Sequence, residues 1–156
     1  MLPVRKDVIV VEDFYPAIII MCILTYFMLS MSLTYQFDII QQDVENIVFK
    51  YTQIAAKKGC LYQSVYDEMV SKIEKYGTFE ISLKAERFNG ATVTELEGDD
   101  IIDRNLRDEG YDLLTISVMA IKKHPLSIIY SMNMFMKPTG NDYDIRLCGY
   151  ASAALF

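Results

Sequence analysis

FYPAIIIMCILTYFMLSMSLTY, residues 14–35, runs without a charge into QFDIIQQDVENIVFKYTQIAAKKG, residues 36–59, and the fold turns on whether the two are one helix. At ~1.5 Å per residue the first stretch would be about 33 Å long, enough for a hydrocarbon core of roughly 30 Å. It is apolar all round, whereas the core helix of a chain this size normally keeps a polar stripe. Tyr15 and Tyr35 sit near its ends, where amphipathic rings favour a membrane interface. Pro16 is read as a first-turn residue, where its missing N–H costs little. The second stretch changes character. Phe37, Ile40, Val44, Ile47, Tyr51 and Ile54 recur at alternating spacings of three and four, a one-sided stripe on a helix. Asp38, Gln41, Gln42, Asp43, Glu45 and Lys50 make its solvated side, and Lys57-Lys58-Gly59 supplies a stop. The two stretches therefore read as one helix from about Phe14 to Lys58, its second half packing on the chain's own domain.

Upstream, Arg5 and Lys6 precede the apolar block, and only Lys50 appears in the 15 or so residues that follow it. By the positive-inside rule this puts the N-terminus in the cytoplasm and the C-terminal domain on the far side. Ser30-Met31-Ser32 is a weak cleavage site for a signal peptide, but the block exceeds the usual apolar region of ~7–15 residues. Met21 before Cys22 argues against a lipoprotein, where a small residue is expected. An anchor that stays uncleaved, or is trimmed only near Val8, fits better. The expected organisation is a cytoplasmic segment 1–13, a transmembrane helix 14–35 and an extracytoplasmic domain 36–156.

The remainder alternates in a second way. Leu61, Val65, Met69 and Ile73 mark a second helix from Tyr62 to Tyr76, ended by Gly77. Phe79, Ile81, Leu83 and Ala85 then alternate with Glu80, Ser82, Lys84 and Glu86 as a half-buried strand. Asn89-Gly90 signals a hairpin, with Ala91 to Leu96 returning. Further strands are expected over Tyr111 to Lys122, over Leu126 to Met136, and, after the turn at Lys137–Asp142, one led by Tyr143, Ile145 and Leu147. Helices first, then an antiparallel sheet of about four or five strands, is the α+β class.

From Gln36 onward, 13 Lys and Arg stand against 18 Asp and Glu, a net charge of −5. An acidic domain without a basic stripe argues against nucleic acid and against electrostatic docking on anionic lipid. Cys22 reads as a small thiol within the apolar block. Cys60 and Cys148 would share an extracytoplasmic compartment, so a disulfide between them is chemically open. Asp99, Asp100, Asp103 and Asp108 offer oxygens for calcium, yet no EF-hand spacing is present, and a solvated loop with Ile101, Ile102 and Leu106 tucked inward is the simpler reading. His124, in KKHPL, stands without a Cys–His or Ser–His–Asp arrangement to orient it. With no phosphate loop, zinc spacing or haem motif either, neither an enzyme nor a cofactor or metal protein is expected, and no small-molecule substrate is identified.

Glu12, in VIVVEDFYP, is a carboxylate against an apolar run, costly unless it lies at the membrane surface with Asp13 or is paired. A free α-amino group at Val8, made by cleavage after Asp7, would be such a partner and would make Glu12 the fifth residue of the mature chain. With that arrangement, VVEDFYP followed by AIIIMCILTYFML resembles the type IV pilin superfamily, most of all the TadE-like pseudopilins of tight-adherence pili and related secretion systems. The match spans roughly Arg5 to Thr34, with architecture extending it over the chain. Two residues depart from the pattern: Asp7 stands where pilin leaders usually end in Gly or Ala, and Asp13 is an additional charge. The resemblance implies a structural subunit, held in a membrane by its helix and packed with like subunits in a filament or its tip. In it, a Glu12–amine pair would set register between neighbours, the best-attested use of a buried ion pair. A bitopic accessory protein of a secretion or conjugation apparatus, and a membrane-tethered sensor domain, are the alternatives from other classes.

Overall fold

The computed structural model describes residues 6–122, Pro125 and residues 146–155, and gives the backbone course alone for residues 6–13. The expected strand over Leu126 to Met136, the turn at Lys137–Asp142, Tyr143, Ile145 and His124 lie outside the described residues, as do the side chains of Asp7, Val8 and Glu12.

One helix, α1, runs from Lys6–Lys58 without interruption. Its 53 residues reach about 80 Å at 1.5 Å per residue. It opens before Phe14, so Pro16 is an interior residue rather than a first-turn one. Its ring leaves the carbonyl of Glu12 without the usual amide partner four residues on. The second half is amphipathic as the spacing indicates, but the buried stripe is rotated: Phe37, Val44, Val48, Tyr51, Thr52, Ala55 and Ala56 are buried, while Ile40, Ile47 and Ile54 flank it. Thr52 enters this apolar face because its hydroxyl donates to the Val48 carbonyl at 2.8 Å, one turn back.

The end of α1 is built by Gly59. The amide of Gly59 donates to Ala56 O at 3.1 Å and that of Cys60 to Ala55 O at 3.2 Å, while Gly59 sits at φ +73°. This is the Schellman pattern, and it satisfies carbonyls the helix leaves open. The Arg107 guanidinium adds a further cap, donating to Lys57 O at 3.1 Å. A Cβ on Gly59 would lie 2.8 Å from Arg107 Cβ, so both conformation and space reserve the position for glycine. Gly59→Ala is expected to destabilise the head by about 1–2 kcal/mol from the left-handed backbone alone, seen as a lower urea midpoint. An unchanged midpoint would count against this account of the helix end.

Helix α2 spans Gln63–Ile73 and tightens into a 3-10 turn over Glu74–Tyr76. Leu61, Val65, Met69 and Ile73 are buried, as their spacing indicates. Strands β1 (Phe79–Asn89), β2 (Thr92–Glu97), β3 (Leu113–Ala120) and β4 (Cys148–Ala154) form a sheet in the order β2-β1-β3-β4, antiparallel throughout. The hairpin forms one residue later than Asn89-Gly90 suggests: Asn89 pairs with Thr92, and Gly90-Ala91 is the tip. Both helices cover one face, where Leu83, Ala85, Leu114, Ile116 and Val118 meet α1 and α2 in the main core. The architecture is the expected two-layer α+β head, carried on the latter half of one long helix.

Within the sheet, α1 packs most extensively on β4. Gly149, Ala151 and Ala153 point inward from β4 and give the helix room. A Cβ on Gly149 would come within 2.8 Å of Val48 Cγ2 and 3.4 Å of Val44 Cγ1. At the start of β4 the Gln41 amide works as a short substitute strand. Its Oε1 accepts from the Cys148 amide at 3.1 Å, and its Nε2 donates to the Cys148 carbonyl at 2.8 Å.

Candidate functional site

Three places on the molecule combine exposure with chemistry: the bare first half of α1, the groove between α1 and α2, and the acidic loop before β3.

The first half of α1 is apolar and uncovered. Its most apolar window has a mean hydropathy of 2.1, and only 6% of it is buried. Ile19, Ile20, Leu24, Phe27 and Leu29 are each more than half exposed. A core helix of a soluble protein would be covered by its own chain; among the described residues this one is covered only near Ser30. The protein thus carries one N-terminal helix long and apolar enough to cross a membrane. Glu12, Asp7 and Val8 lie on the backbone of the same helix, upstream of its bare portion.

The groove between the helices, about 270 Å³, is lined by Asp43, Asn46, Ile47, Lys50, Tyr51, Lys72 and Tyr76. Several of its polar groups are turned on one another. Lys72 Nζ donates to Tyr51 Oη at 2.6 Å and to Glu68 at 2.8 Å, and lies 5.1 Å from the centre of the Tyr51 ring. The Glu68 and Tyr51 oxygens hold the Lys72 ammonium above its ordinary pKa, so it stays charged. Tyr76 Oη donates to Asp43 Oδ2 at 3.2 Å; burial, then the Asp43 charge, push the phenol up and keep that proton in place. These bonds clamp α2 to α1, a role for Lys72 and Tyr51 that no motif signals.

The acidic loop is also spent on structure. Asp103, at φ +58°, accepts the Gln63 amide on Oδ1 at 2.9 Å and so caps α2. Asp108 takes the Asn105 amide, and Arg104 pairs with Glu109 at 2.6 Å. Ile101 and Leu106 are fully buried and Ile102 packs at the core's edge, as their tucked-in reading has it. Among the described residues no three His, Cys, Asp or Glu side chains approach closely enough to hold a metal ion.

The disulfide left open for Cys60 and Cys148 is not formed: both thiols are free, one buried and one exposed. Cys148 is fastened beside Gln41, whereas Cys60 follows the far end of α1. The 17 helical steps from Gln41 to the end of α1 at Lys58 separate the two by about 26 Å, well beyond the ~7 Å that a bridge allows between Cα atoms. Burial, reinforced by Asp103 and opposed by Lys58, raises the Cys60 thiol above its usual pKa and leaves it protonated.

No family model matches the chain, and neither a curated protein nor a solved structure matches it in sequence or fold.

Proposed function

We propose that the protein is a membrane-anchored, pilin-like structural subunit, a minor pilin or pseudopilin of a surface filament or secretion apparatus. In this reading its head lies outside the cytoplasm and its stem helix packs against those of related subunits. The observation that carries this reading is the division of α1: one half is a main packing element of the head, and the other is apolar and, among the described residues, almost wholly uncovered. Such a helix is at home in lipid before assembly and among like helices afterwards. The resemblance of VVEDFYPAIIIMCILTYFML to TadE-like pseudopilins points the same way.

Glu12 then acts as the register residue, pairing with the α-amino group of Val8 on a neighbouring subunit once the leader is removed after Asp7. Glu12→Ala is expected to leave membrane integration intact and to reduce incorporation into filaments by tenfold or more, on the order of 1.4 kcal/mol per contact, read by immunoblot of sheared surface material. Normal incorporation would remove the register role. Mass spectrometry of the mature N-terminus separates this reading from a non-polymerising accessory protein: a chain starting at Val8 supports the subunit, and an intact leader in assembled cells supports the accessory.

A further inference from the structure

The side of α1 opposite its buried stripe has a pattern of its own, bordered at Asn46 by the groove toward α2 and at Gln53 by the end of β4. Tyr35, Ile39, Gln42, Asn46, Phe49 and Gln53 follow at spacings of four, three, four, three and four. They lie opposite Val44, Val48, Tyr51 and Ala55, which face the core. None is charged, and Ile39 and Phe49 are 41% and 55% exposed. The same spacing continues back through Ser32, Met28, Thr25, Met21, Ile18 and Phe14, so one uncharged seam runs from the stem into the head over roughly 60 Å.

We propose that this seam docks a second copy of the chain as a parallel, in-register helix pair. Read as heptads, Ile39, Asn46 and Gln53 take the a positions and Gln42 and Phe49 the d positions. A single asparagine at an a position is the device that favours two strands in one register. The flanking charges identify the occupant. Glu45 and Lys50 take the g and e positions bordering the seam, and in a parallel pair Glu45 of each copy lies beside Lys50 of the other. Both are exposed, and neither makes an ion pair among the described residues. Glu45 accepts only from the neutral Gln41 amide at 2.7 Å, and Lys50 leans toward the Tyr51 ring at 5.9 Å. Asp38 meets Asp43 across the same seam, a like-charge pair that loosens its membrane-proximal end. The parallel sense rests on the anchor reading, since two stems inserted the same way point their heads the same way. The pairing goes beyond that reading: it is symmetric, whereas filament packing joins different faces of successive subunits.

The test uses the full-length chain in lipid nanodiscs, with Cys22→Ser and Cys148→Ser removing the exposed thiols. Single cysteines are placed at Gln42, Asn46 and Phe49 on the seam, and off it at Lys58 and at Tyr150, which is exposed on the outer face of β4. Mild oxidation is expected to crosslink the three seam variants to dimers and to leave the two controls monomeric. Adding Lys50→Glu to Asn46→Cys is expected to lower the crosslinked fraction about tenfold, equivalent to about 1.4 kcal/mol, and Glu45→Lys in the same chain to restore it. Crosslinking equal at seam and control positions, no crosslinking at the seam, or indifference to Lys50→Glu would each overturn the pairing. So would preferential crosslinking between Gln42→Cys and Phe49→Cys chains in a mixture, which reports a stagger. Alkaline extraction of membranes carrying the same variants reads the anchor separately, so loss of pairing in a retained chain leaves the anchor standing.

Discussion

Gly149→Val is expected to lower the stability of the head by about 3 kcal/mol, at the upper end of what overpacking a filled core costs. The position leaves no room for relief. Even a Cβ would meet Val48 Cγ2 at 2.8 Å, and Val48 is fully buried, so its branched side chain has no solvent into which to swing. Its χ1 is further restricted because it is β-branched on a helix. The strain must then go into separating α1 from β4, which opens the contact that Ala151 and Ala153 also line. Urea unfolding of the full chain in detergent, followed by far-ultraviolet circular dichroism, measures the loss. The milder Gly149→Ala is expected to be partly rescued by Val48→Ala, which removes the opposing methyl groups. A Gly149→Val head with the parental midpoint would mean that α1 does not approach β4 this closely.

Replacing Ile20 and Leu24 together by lysine is expected to abolish membrane integration. Both side chains are more than half exposed on the bare stem, four residues apart and hence on one face. A lysine near a helix centre costs about 2.5–3.5 kcal/mol on insertion scales, so the pair costs roughly 5–7 kcal/mol, a shift of more than a thousandfold in the partition. The parental chain should resist alkaline extraction from membranes and the variant should appear in the soluble fraction. The head contributes an internal control, since among the described residues its hydrophobic core begins at Phe37 and should keep its fold. A variant still resistant to extraction would show that the stem is not what holds the chain in lipid.

The parts of this molecule that repeat along the chain were the readable ones. Leu61, Val65, Met69 and Ile73 fall on one side of a helix wherever that helix sits, and Phe79 to Ala85 alternate whatever they pair with. Features set by closeness between distant segments were not readable. β4 is nearly silent, because its inward residues Gly149, Ala151 and Ala153 are small to admit α1, and small residues carry little strand signal. The same proximity moves the buried stripe of α1 from Ile40, Ile47 and Ile54 to Val48, Thr52 and Ala55. Asp103 reads in sequence as a loop carboxylate and Arg107 carries no signal, yet they hold the start of α2 and the end of α1. Of the functional candidates, the bare stem was legible as composition, while the separation of Cys60 from Cys148 needed the fold.

Because stem and head share one unbroken hydrogen-bond ladder from Ala17 to Lys58, the protein has no swivel where a tethered domain usually has a linker. Twisting or tilting the apolar end turns the head with it, much as a key turns with its shank. Pro16 is the one residue in α1 that breaks the ladder, and it lies near the opposite end. Compliance is therefore concentrated at Pro16, and torque applied along the stem passes through one continuous helix to the sheet.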